Sequence, residues 1–494
     1  MRPPPKPGKS LTITMAAATV AVTAAALVTA CSASPAETSA SPAQTSASPA
    51  QTSASPASAS ASPAETAAPG VQVTGKLGDG AVWIAEYPKS WNGTLILYSH
   101  GFGPLTAADA PDPTTQQALL AEGYALAGSS YDPSGSEWAL DTALSDQSGT
   151  LTAVESTVLP HSPAHVIAFG TSMGGLVSAL EAQAGGKVDG ALTTCGVVAG
   201  AVNQNEYQID GEYAIAQLLG NPGTQLAGIG TDAEGEAAAA ALTADAGAAQ
   251  QTAAGRARLA LAMAFLNVMP WLSTATAPVP GSNPAGQESA QYNTLFAPSF
   301  NILEFIELVL VSTDQADGGN ATGNVGTNFA QALASSPFKP EVEALYQQAG
   351  LNLNNDLQAL SAHAKIEAGS AALRSLAATS VPTGHLAVPE LDLHTIGDDV
   401  VPVENENYYR NQVDQAGSGG LLRQAFTESY GHCNFSPAEL VAGVHAIMHR
   451  VTTGQWGNAA TTASLEQAAT ALNLGPARFT DYSPGELTGA VPTP

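Results

Sequence analysis

Short apolar runs bounded by glycine and proline recur along the first half of the chain and indicate buried β-strands. Segments with helical periodicity lie between them. The pattern begins with a hairpin whose predicted turn is Asp79-Gly80. The predicted strands are 71–75, 81–87, 94–99, 124–129, 165–169 and 188–195, and the predicted helices are 113–122, 141–158 and 175–184. This alternation predicts an α/β fold with a mostly parallel sheet covered by helices on both faces.

The pattern changes in the middle of the chain. Residues 201–380 are rich in alanine, leucine, glutamine and glycine and carry few strand signals, and Arg256–Leu272 is predicted as an apolar helix. Later segments are predicted as strands at 390–396 and 421–427 and as helices at 437–451 and 464–474. The predicted organisation is a core at 71–200 and 381–454, a large helical lid insertion at 201–380, and a C-terminal tail at 455–494.

The N-terminal segment has the features of an export signal. Basic Arg2, Lys6 and Lys9 precede an apolar stretch at 11–27, and Val28-Thr29-Ala30-Cys31 follows. The small residues before the cysteine resemble a bacterial lipobox. That resemblance implies cleavage after residue 30 and attachment of a lipid to Cys31, which would hold the protein at the outer side of the membrane. An uncleaved signal anchor is the alternative.

Residues 31–70 are of low complexity. A Ser-Pro pair recurs there every seven residues, and proline in each unit is incompatible with a continuous helix. We predict a disordered tether that joins the lipid anchor to the folded part of the chain.

The charge balance narrows the class of partner. The chain has 494 residues, with 42 acidic against 15 basic side chains and a net charge of −27. Nucleic acid binding needs a basic surface, so this balance argues against a nucleic acid partner. We expect a monomer that contacts the membrane only through its anchor and acts on a small-molecule substrate.

The chemistry is predicted to centre on the pentapeptide Gly170-Thr171-Ser172-Met173-Gly174. It lies between the predicted strand at 165–169 and the predicted helix at 175–184. A turn this sharp needs unusual backbone angles, and flanking glycines remove the Cβ atoms that would clash. The alternative is a glycine-rich turn with a surface serine.

A serine hydroxyl becomes a good nucleophile when a base takes its proton, and the base needs an orienting carboxylate. Two later strands end in suitable groups, one at Asp398 and Asp399 and the other at His432. The carboxyl ends of parallel strands share one edge of the sheet, which predicts that these groups lie beside Ser172.

These segments, with His100-Gly101 after an early strand, resemble the α/β-hydrolase superfamily, in particular secreted bacterial esterase-like members. The resemblance covers roughly 71–200 and 385–452. It implies Ser172 as nucleophile, His432 as base and Asp398 as orienting acid. Asp399 is the rival for the acid, whereas Asp392 lies inside its strand and is predicted to be structural.

The resemblance also implies an oxyanion hole. Its backbone N–H donors are predicted to be Met173 and a residue of the loop after the early strand, for which Phe102 is favoured and Gly103 is second. We expect His100 to pack beneath the site, the alternative being a role in proton transfer.

If Cys31 carries lipid, the remaining cysteines are Cys195 and Cys433, and in an oxidising compartment the simplest state is one disulfide. Such a bridge would clamp the His432 loop, and it is similar to the brace of tannase- and feruloyl-esterase-like hydrolases. In those proteins the first cysteine directly precedes the serine, a place that Thr171 holds here. Two separate buried thiols are the alternative.

The sequence thus predicts an exported, lipid-anchored serine hydrolase that cleaves an ester through an acyl-enzyme, without a metal or cofactor. Two alternatives remain open. One is a peptidase of the same fold, and the other is an inactive surface-binding lipoprotein.

Overall fold

A computed structural model describes residues 70–297 and 300–491. The predicted signal, Cys31 and nearly all of the tether lie outside the described residues. Within those residues, no helix combines the length and the hydropathy that crossing a bilayer requires.

Nine strands form one central sheet in the order β1-β2-β4-β3-β5-β6-β9-β10-β11. The strands from β4 to β10 in that order are parallel, whereas the β1–β2, β2–β4 and β10–β11 pairs are antiparallel. The strands are β1 (Val73–Lys76), β2 (Val82–Glu86), β3 (Thr94–Ser99), β4 (Ala125–Ser129), β5 (His165–Thr171), β6 (Gly190–Thr194), β7 (Phe296–Ala297), β8 (Phe300–Asn301), β9 (Glu390–Gly397), β10 (Leu422–Tyr430) and β11 (Phe479–Thr480). Strands β7 and β8 form a separate small hairpin. The predicted mostly parallel sheet is confirmed.

Helices follow most strands and also fill the middle of the chain. They are α1 (Pro113–Ala121), α2 (Ala143–Thr157), α3 (Met173–Ala184), α4 (Ala201–Leu219), α5 (Asp232–Ala249), α6 (Ala253–Phe265), α7 (Pro284–Leu295), α8 (Ile302–Asp317), α9 (Phe329–Ser335), α10 (Lys339–Ala349), α11 (Leu353–His363), α12 (Ser370–Thr379), α13 (Asn405–Gln415), α14 (Pro437–Thr453) and α15 (Thr462–Leu472). A short 3₁₀ turn at Ala139–Asp141 precedes α2.

Both faces of the sheet are buried, which explains why β3 is apolar throughout. Leu95 and Leu97 point to one face, where they join a cluster with residues of α2, α3 and α13. Ile96 and Tyr98 point to the other face, where they join residues of α1 and α14. Successive side chains of a strand alternate between faces, so a strand covered on both sides needs a continuous apolar run.

Helices α4–α12 form a helical insertion, residues 201–380, between β6 and β9. Its core is largely its own and is built around α6, where every residue from Leu259 to Phe265 is buried. A helix that is apolar on all sides belongs in an interior.

The predicted helix at Arg256–Leu272 was wrong at its C-terminal end. Helix α6 ends at Phe265, and Asn267 adopts a positive φ of 56°. Pro270 follows, and the chain leaves the helix to place Trp271 against Gly397 at the end of β9. Hydropathy alone did not indicate this break, because the apolar character continues beyond it.

The segment after Gly454 adds to the core. Leu465 and Ala469 of α15 pack in the same cluster as α14, and β11 pairs with β10 at the edge of the sheet. The Arg478 guanidinium holds the buried Glu439 carboxylate at 2.8 and 3.0 Å.

Candidate active site

Ser172 lies on the sharp turn between β5 and α3, with φ 61° and ψ −123°. The turn leaves no room for side chains at its glycines. A Cβ on Gly170 would collide with the carbonyl oxygen of Gly174, and a Cβ on Gly174 would collide with the carbonyl oxygen of Ser99. The strained backbone at Ser172 is typical of a nucleophile elbow, which presents the serine above the sheet edge.

The loop after β10 brings His432 to this serine. The Ser172 hydroxyl donates to Nε2 of His432 at 2.8 Å. On the other side of the ring, Nδ1 donates to the Asp398 carboxylate, with 2.9 and 2.8 Å to its two oxygens. Three side chains from distant stretches therefore form one continuous chain of hydrogen bonds.

Asp398 is fully buried and held by backbone donors. Its Oδ1 accepts the N–H groups of Val400 and Val401 at 3.0 and 2.8 Å. Burial by itself would raise the pKa of Asp398, but the charge and hydrogen bond of His432 outweigh it, so that the net pKa is lowered. Asp398 is therefore ionised at neutral pH and can orient the imidazole.

Asp399 contacts a different part of the same histidine. Its Oδ1 accepts the backbone N–H of His432 at 2.9 Å. Burial, and then the charge of Asp398, raise the pKa of Asp399. The geometry thus assigns the ring contact to Asp398 and the loop contact to Asp399, while Asp392 is buried within β9.

The predicted oxyanion donors are Met173, directly after Ser172, and Phe102, in the loop after β3. Met173 begins α3, and the N–H groups of a first helical turn have no partner within the helix. The loop after β3 approaches closely, because a Cβ on Gly101 would lie only 3.1 Å from the Cβ of Ser172. Phe102 follows in this loop, and its ring meets Phe305 of α8 edge to face, with 5.6 Å between the ring centres.

His100 packs against Tyr131, directly after β3. Its Nδ1 donates to the carbonyl oxygen of Gly101 at 2.8 Å, and its ring lies 4.4 Å from that of Tyr131. The Tyr131 hydroxyl donates to the carbonyl oxygen of His100 at 3.0 Å, and burial lowers the pKa of His100. These contacts fit a residue that supports the loop.

Cys195 and Cys433 form a disulfide, with 5.4 Å between their Cα atoms. Cys195 follows β6 and Cys433 follows His432, so the bridge ties the histidine loop to the neighbouring strand end. In the part of the chain that the structure describes, one group of side chains is close enough to share a metal ion, and it consists of these cysteines and His432. The two sulfurs of this group are bonded to each other in the disulfide, so they are not the thiolates that bind metals.

A polar layer beneath Asp398 was not predicted from the sequence. Glu390, Asp392 and His394 alternate with Leu391 and Leu393 along β9, and all of them are buried. The signal was present, since three ionisable residues at every second position are unusual in a buried strand. The partners of these residues lie on α13, a helix that the hydrophobic pattern does not predict.

The described part of the chain begins with an antiparallel hairpin and continues into a parallel sheet. The serine elbow follows β5, the acid follows β9 and the histidine follows β10, and these three groups meet at one edge of the sheet. The chain has the α/β-hydrolase fold. The large insertion of this hydrolase fold separates β6 from β9, so it lies in sequence between the elbow and the acid.

No protein-family model matches the chain. An o-phthalyl amidase from Xanthobacter agilis is 29% identical over 407 residues, which cover 77% of this chain and 87% of the amidase. Similar solved structures include feruloyl esterase B from Aspergillus oryzae, with 13% identity, 78% and 80% of the chains covered and a TM-score of 0.36. They also include an esterase from Pyrococcus furiosus, with 10% identity, 77% and 90% covered and a TM-score of 0.36. The fold assignment rests on the strand order and connections described above.

Proposed function

We propose that this protein is a serine hydrolase that forms an acyl-enzyme at Ser172. The observation that carries the proposal is the hydrogen bond of 2.8 Å from the Ser172 hydroxyl to Nε2 of His432, with the buried, ionised Asp398 on the opposite ring nitrogen. This arrangement fixes the histidine tautomer whose Nε2 is free to accept the serine proton.

In the proposed reaction, Ser172 Oγ attacks the carbonyl carbon of the substrate while Nε2 of His432 takes the hydroxyl proton. The N–H groups of Met173 and Phe102 would stabilise the negative oxygen of the tetrahedral intermediate. The imidazolium then gives its proton to the leaving group, and the acyl-enzyme remains. Water, deprotonated by His432, attacks the acyl carbon and releases the acid and the free serine.

An ester is the favoured substrate, with an amide as the second candidate. The aromatic rings of Phe102, in the loop after β3, and of Phe305, on α8, suit an apolar or aromatic acyl group. The similarity to an o-phthalyl amidase, 29% identical over most of both chains, supports aromatic amides as the second substrate class.

A fluorophosphonate probe tests the nucleophile. We expect the wild-type protein to be labelled at Ser172 and the Ser172→Ala variant to remain unlabelled while its melting temperature stays close to that of wild type. A folded wild-type protein without labelling would instead support the inactive binding protein. Aryl and alkyl esters run beside the matching amides and a peptide panel would then separate esterase, amidase and peptidase.

We also propose export and lipid anchoring through Cys31, which rest on the leader and the small residues before that cysteine. In a bacterial host that processes lipoproteins, metabolic labelling with an alkyne fatty acid is expected to mark the wild-type protein and to leave the Cys31→Ser variant unmarked. A wild-type protein that stays in the membrane fraction without the label would favour an uncleaved signal anchor.

A further inference from the structure

A second buried histidine lies directly beneath the acid of the proposed triad. His394 is in β9, four residues before Asp398, and its side chain is fully buried. Leu391 and Leu393 face α14, so His394, with Asp392, faces the opposite side of the sheet, where α13 supplies Glu406.

Both ring nitrogens of His394 face hydrogen-bond acceptors. Nδ1 lies 2.8 Å from Oε1 of Glu406, and Nε2 lies 2.9 Å from the carbonyl oxygen of Val401. A neutral imidazole has one N–H and cannot donate in both directions. Either the ring carries two protons, or Glu406 carries one and donates it to Nδ1.

The surroundings of Glu406 favour the first arrangement. The amide of Gln424 donates to Oε2 of Glu406 at 2.5 Å, so this carboxyl group already accepts a hydrogen bond on its second oxygen. A hydrogen bond between an imidazolium and a carboxylate is stronger than one between the neutral groups, and the Asp398 carboxylate, 3.7 Å from Nε2, also favours positive charge on the ring. Although burial acts to lower the pKa of His394, Glu406 outweighs it and the net pKa is raised.

His394 is connected to Asp398 in two ways. Val401 accepts from His394 through its carbonyl oxygen and donates to Oδ1 of Asp398 through its backbone N–H, at 2.9 and 2.8 Å. In addition, Nε2 of His394 lies 3.7 Å from Oδ2 of Asp398, within range of a charge interaction. One ring therefore supports both the turn that carries Asp398 and the charge on it.

We propose that His394 is a positioning residue that acts as a buried imidazolium, held by Glu406, and keeps Asp398 ionised and aligned for His432. The proposal rests on the proposed hydrolase function. The ionisable groups that face His394 are Glu406 on α13, Glu404 just before it and Asp398 in the loop. His432 is linked to His394 through Asp398. Asp392, which is in β9 like His394, faces Glu406.

The protonation state can be read directly. With ¹⁵N-labelled histidine, a two-bond ¹⁵N–¹H correlation spectrum of the full chain separates imidazolium, whose nitrogens resonate close together, from neutral imidazole. The His394→Gln variant assigns the signal. We expect His394 to be doubly protonated at pH 7 in wild type and singly protonated in Glu406→Gln. A neutral His394 in wild type would overturn the proposal.

The pH profile tests the catalytic consequence. Loss of a nearby positive charge makes His432 easier to protonate, so His394→Gln should move the acidic limb of kcat/KM to higher pH by roughly half to one unit, with kcat falling more than KM rises. His449→Gln makes the same change on an exposed face of α14 and should leave the limb in place. A lower kcat without a shift in the acidic limb of the kcat/KM profile would contradict the proposal and indicate that His394 contributes only packing.

Failure of this inference and failure of the proposed function are distinguishable. An unlabelled wild-type Ser172 in the fluorophosphonate experiment removes the hydrolase function, whereas the NMR spectrum reports the charge of His394 independently of activity. If His394→Gln does not fold, Glu406→Gln supplies both readouts, and an unchanged His394 signal in that variant counts against the proposal.

Discussion

Asp398 and Asp399 are adjacent in the chain, yet they bind different parts of His432. The first accepts from the ring and the second from the backbone N–H. A catalytic acid must hold the ring during proton transfer, whereas a loop anchor only has to keep the histidine in place. The effects of removing each carboxylate should therefore differ in size and in kind.

We expect Asp398→Asn to lower kcat by about 10⁴-fold, because an amide favours the wrong histidine tautomer. Asp399→Ala leaves the part-buried N–H of His432 without its acceptor, at a cost of about 1–3 kcal/mol. If the whole cost falls on the transition state, kcat drops by roughly 5- to 150-fold. Steady-state kinetics on an aryl ester measures both, with the exposed Asp232→Asn as control. Equal losses for the two variants would contradict this division.

Gly174 has a purely steric role. A Cβ at this position would overlap the Ser99 carbonyl oxygen and lie 2.6 Å from that of His100, and neither backbone atom can move without distorting β3. Gly174→Ala should lower the free energy of unfolding by about 3 kcal/mol or more. Thermal unfolding measures it, and Gly78→Ala, in open space, is the matched control. A melting temperature close to wild type would refute the packing argument.

The sequence could predict Ser172 and His432 as partners because both follow strands whose ends must share an edge. The preference for Asp398 over Asp399 came from the family resemblance alone, since a loop of adjacent acids does not reveal which side chain turns inward. His394 was hidden for a related reason. Its role depends on Glu406, and the polar helix that carries Glu406 gives no hydrophobic signal.

Among the elements, buried strands were the easiest to predict. The limits of β3 match the prediction residue for residue, because all six of its side chains are buried and polar residues bound the run. Helix α13 was missed, since few of its side chains reach the core. The short β11 was missed because it has only two residues, too few to give a hydropathy pattern.

Arg478 anchors the C-terminal segment to α14 and to the loop that follows β10. Its guanidinium holds the buried Glu439 carboxylate, and one of its nitrogens also donates to the carbonyl oxygen of Asn434, two residues after His432. Arg478→Ala leaves Glu439 buried without its counter-charge, which we expect to cost about 3–5 kcal/mol.

Chemical denaturation measures this loss in the free energy of unfolding. Arg478→Lys keeps the charge but loses the forked geometry and should fall between wild type and alanine. Arg374→Ala removes an exposed arginine from α12 and serves as the control. If Arg478→Ala matched that control, the ion pair would not anchor the segment.

At the scale of the whole molecule, many of the carboxyl groups are buried, which the sequence did not predict. Burial raises the pKa of Glu307 and Glu341 to about 8 and that of Glu206 to about 7. In each case the folded pKa lies above the unfolded value of about 4.3. Folding then opposes ionisation, so the stability these groups contribute is complete below pH 4.3 and is lost as the pH rises through 7 to 8.

We therefore expect the melting temperature to fall steadily between pH 5 and pH 9. Glu307→Gln removes one ionisation and should flatten this decline, because the amide stays neutral at every pH. Glu304→Gln, an exposed position on the same helix, should leave the slope unchanged. Differential scanning calorimetry across the pH range measures all three proteins. A melting temperature that rises toward pH 9 would contradict the assignment of raised pKa values.

The Cys195–Cys433 bond closes a covalent ring of the chain, and the entire helical insertion lies within that ring. A protease that nicks the exposed stretch around 221–225 would consequently open the ring without releasing a fragment. The nicked protein should migrate as a single species on a non-reducing gel and separate into two pieces after thiol treatment. A nick in the insertion would thus leave every part of the proposed triad on one connected molecule.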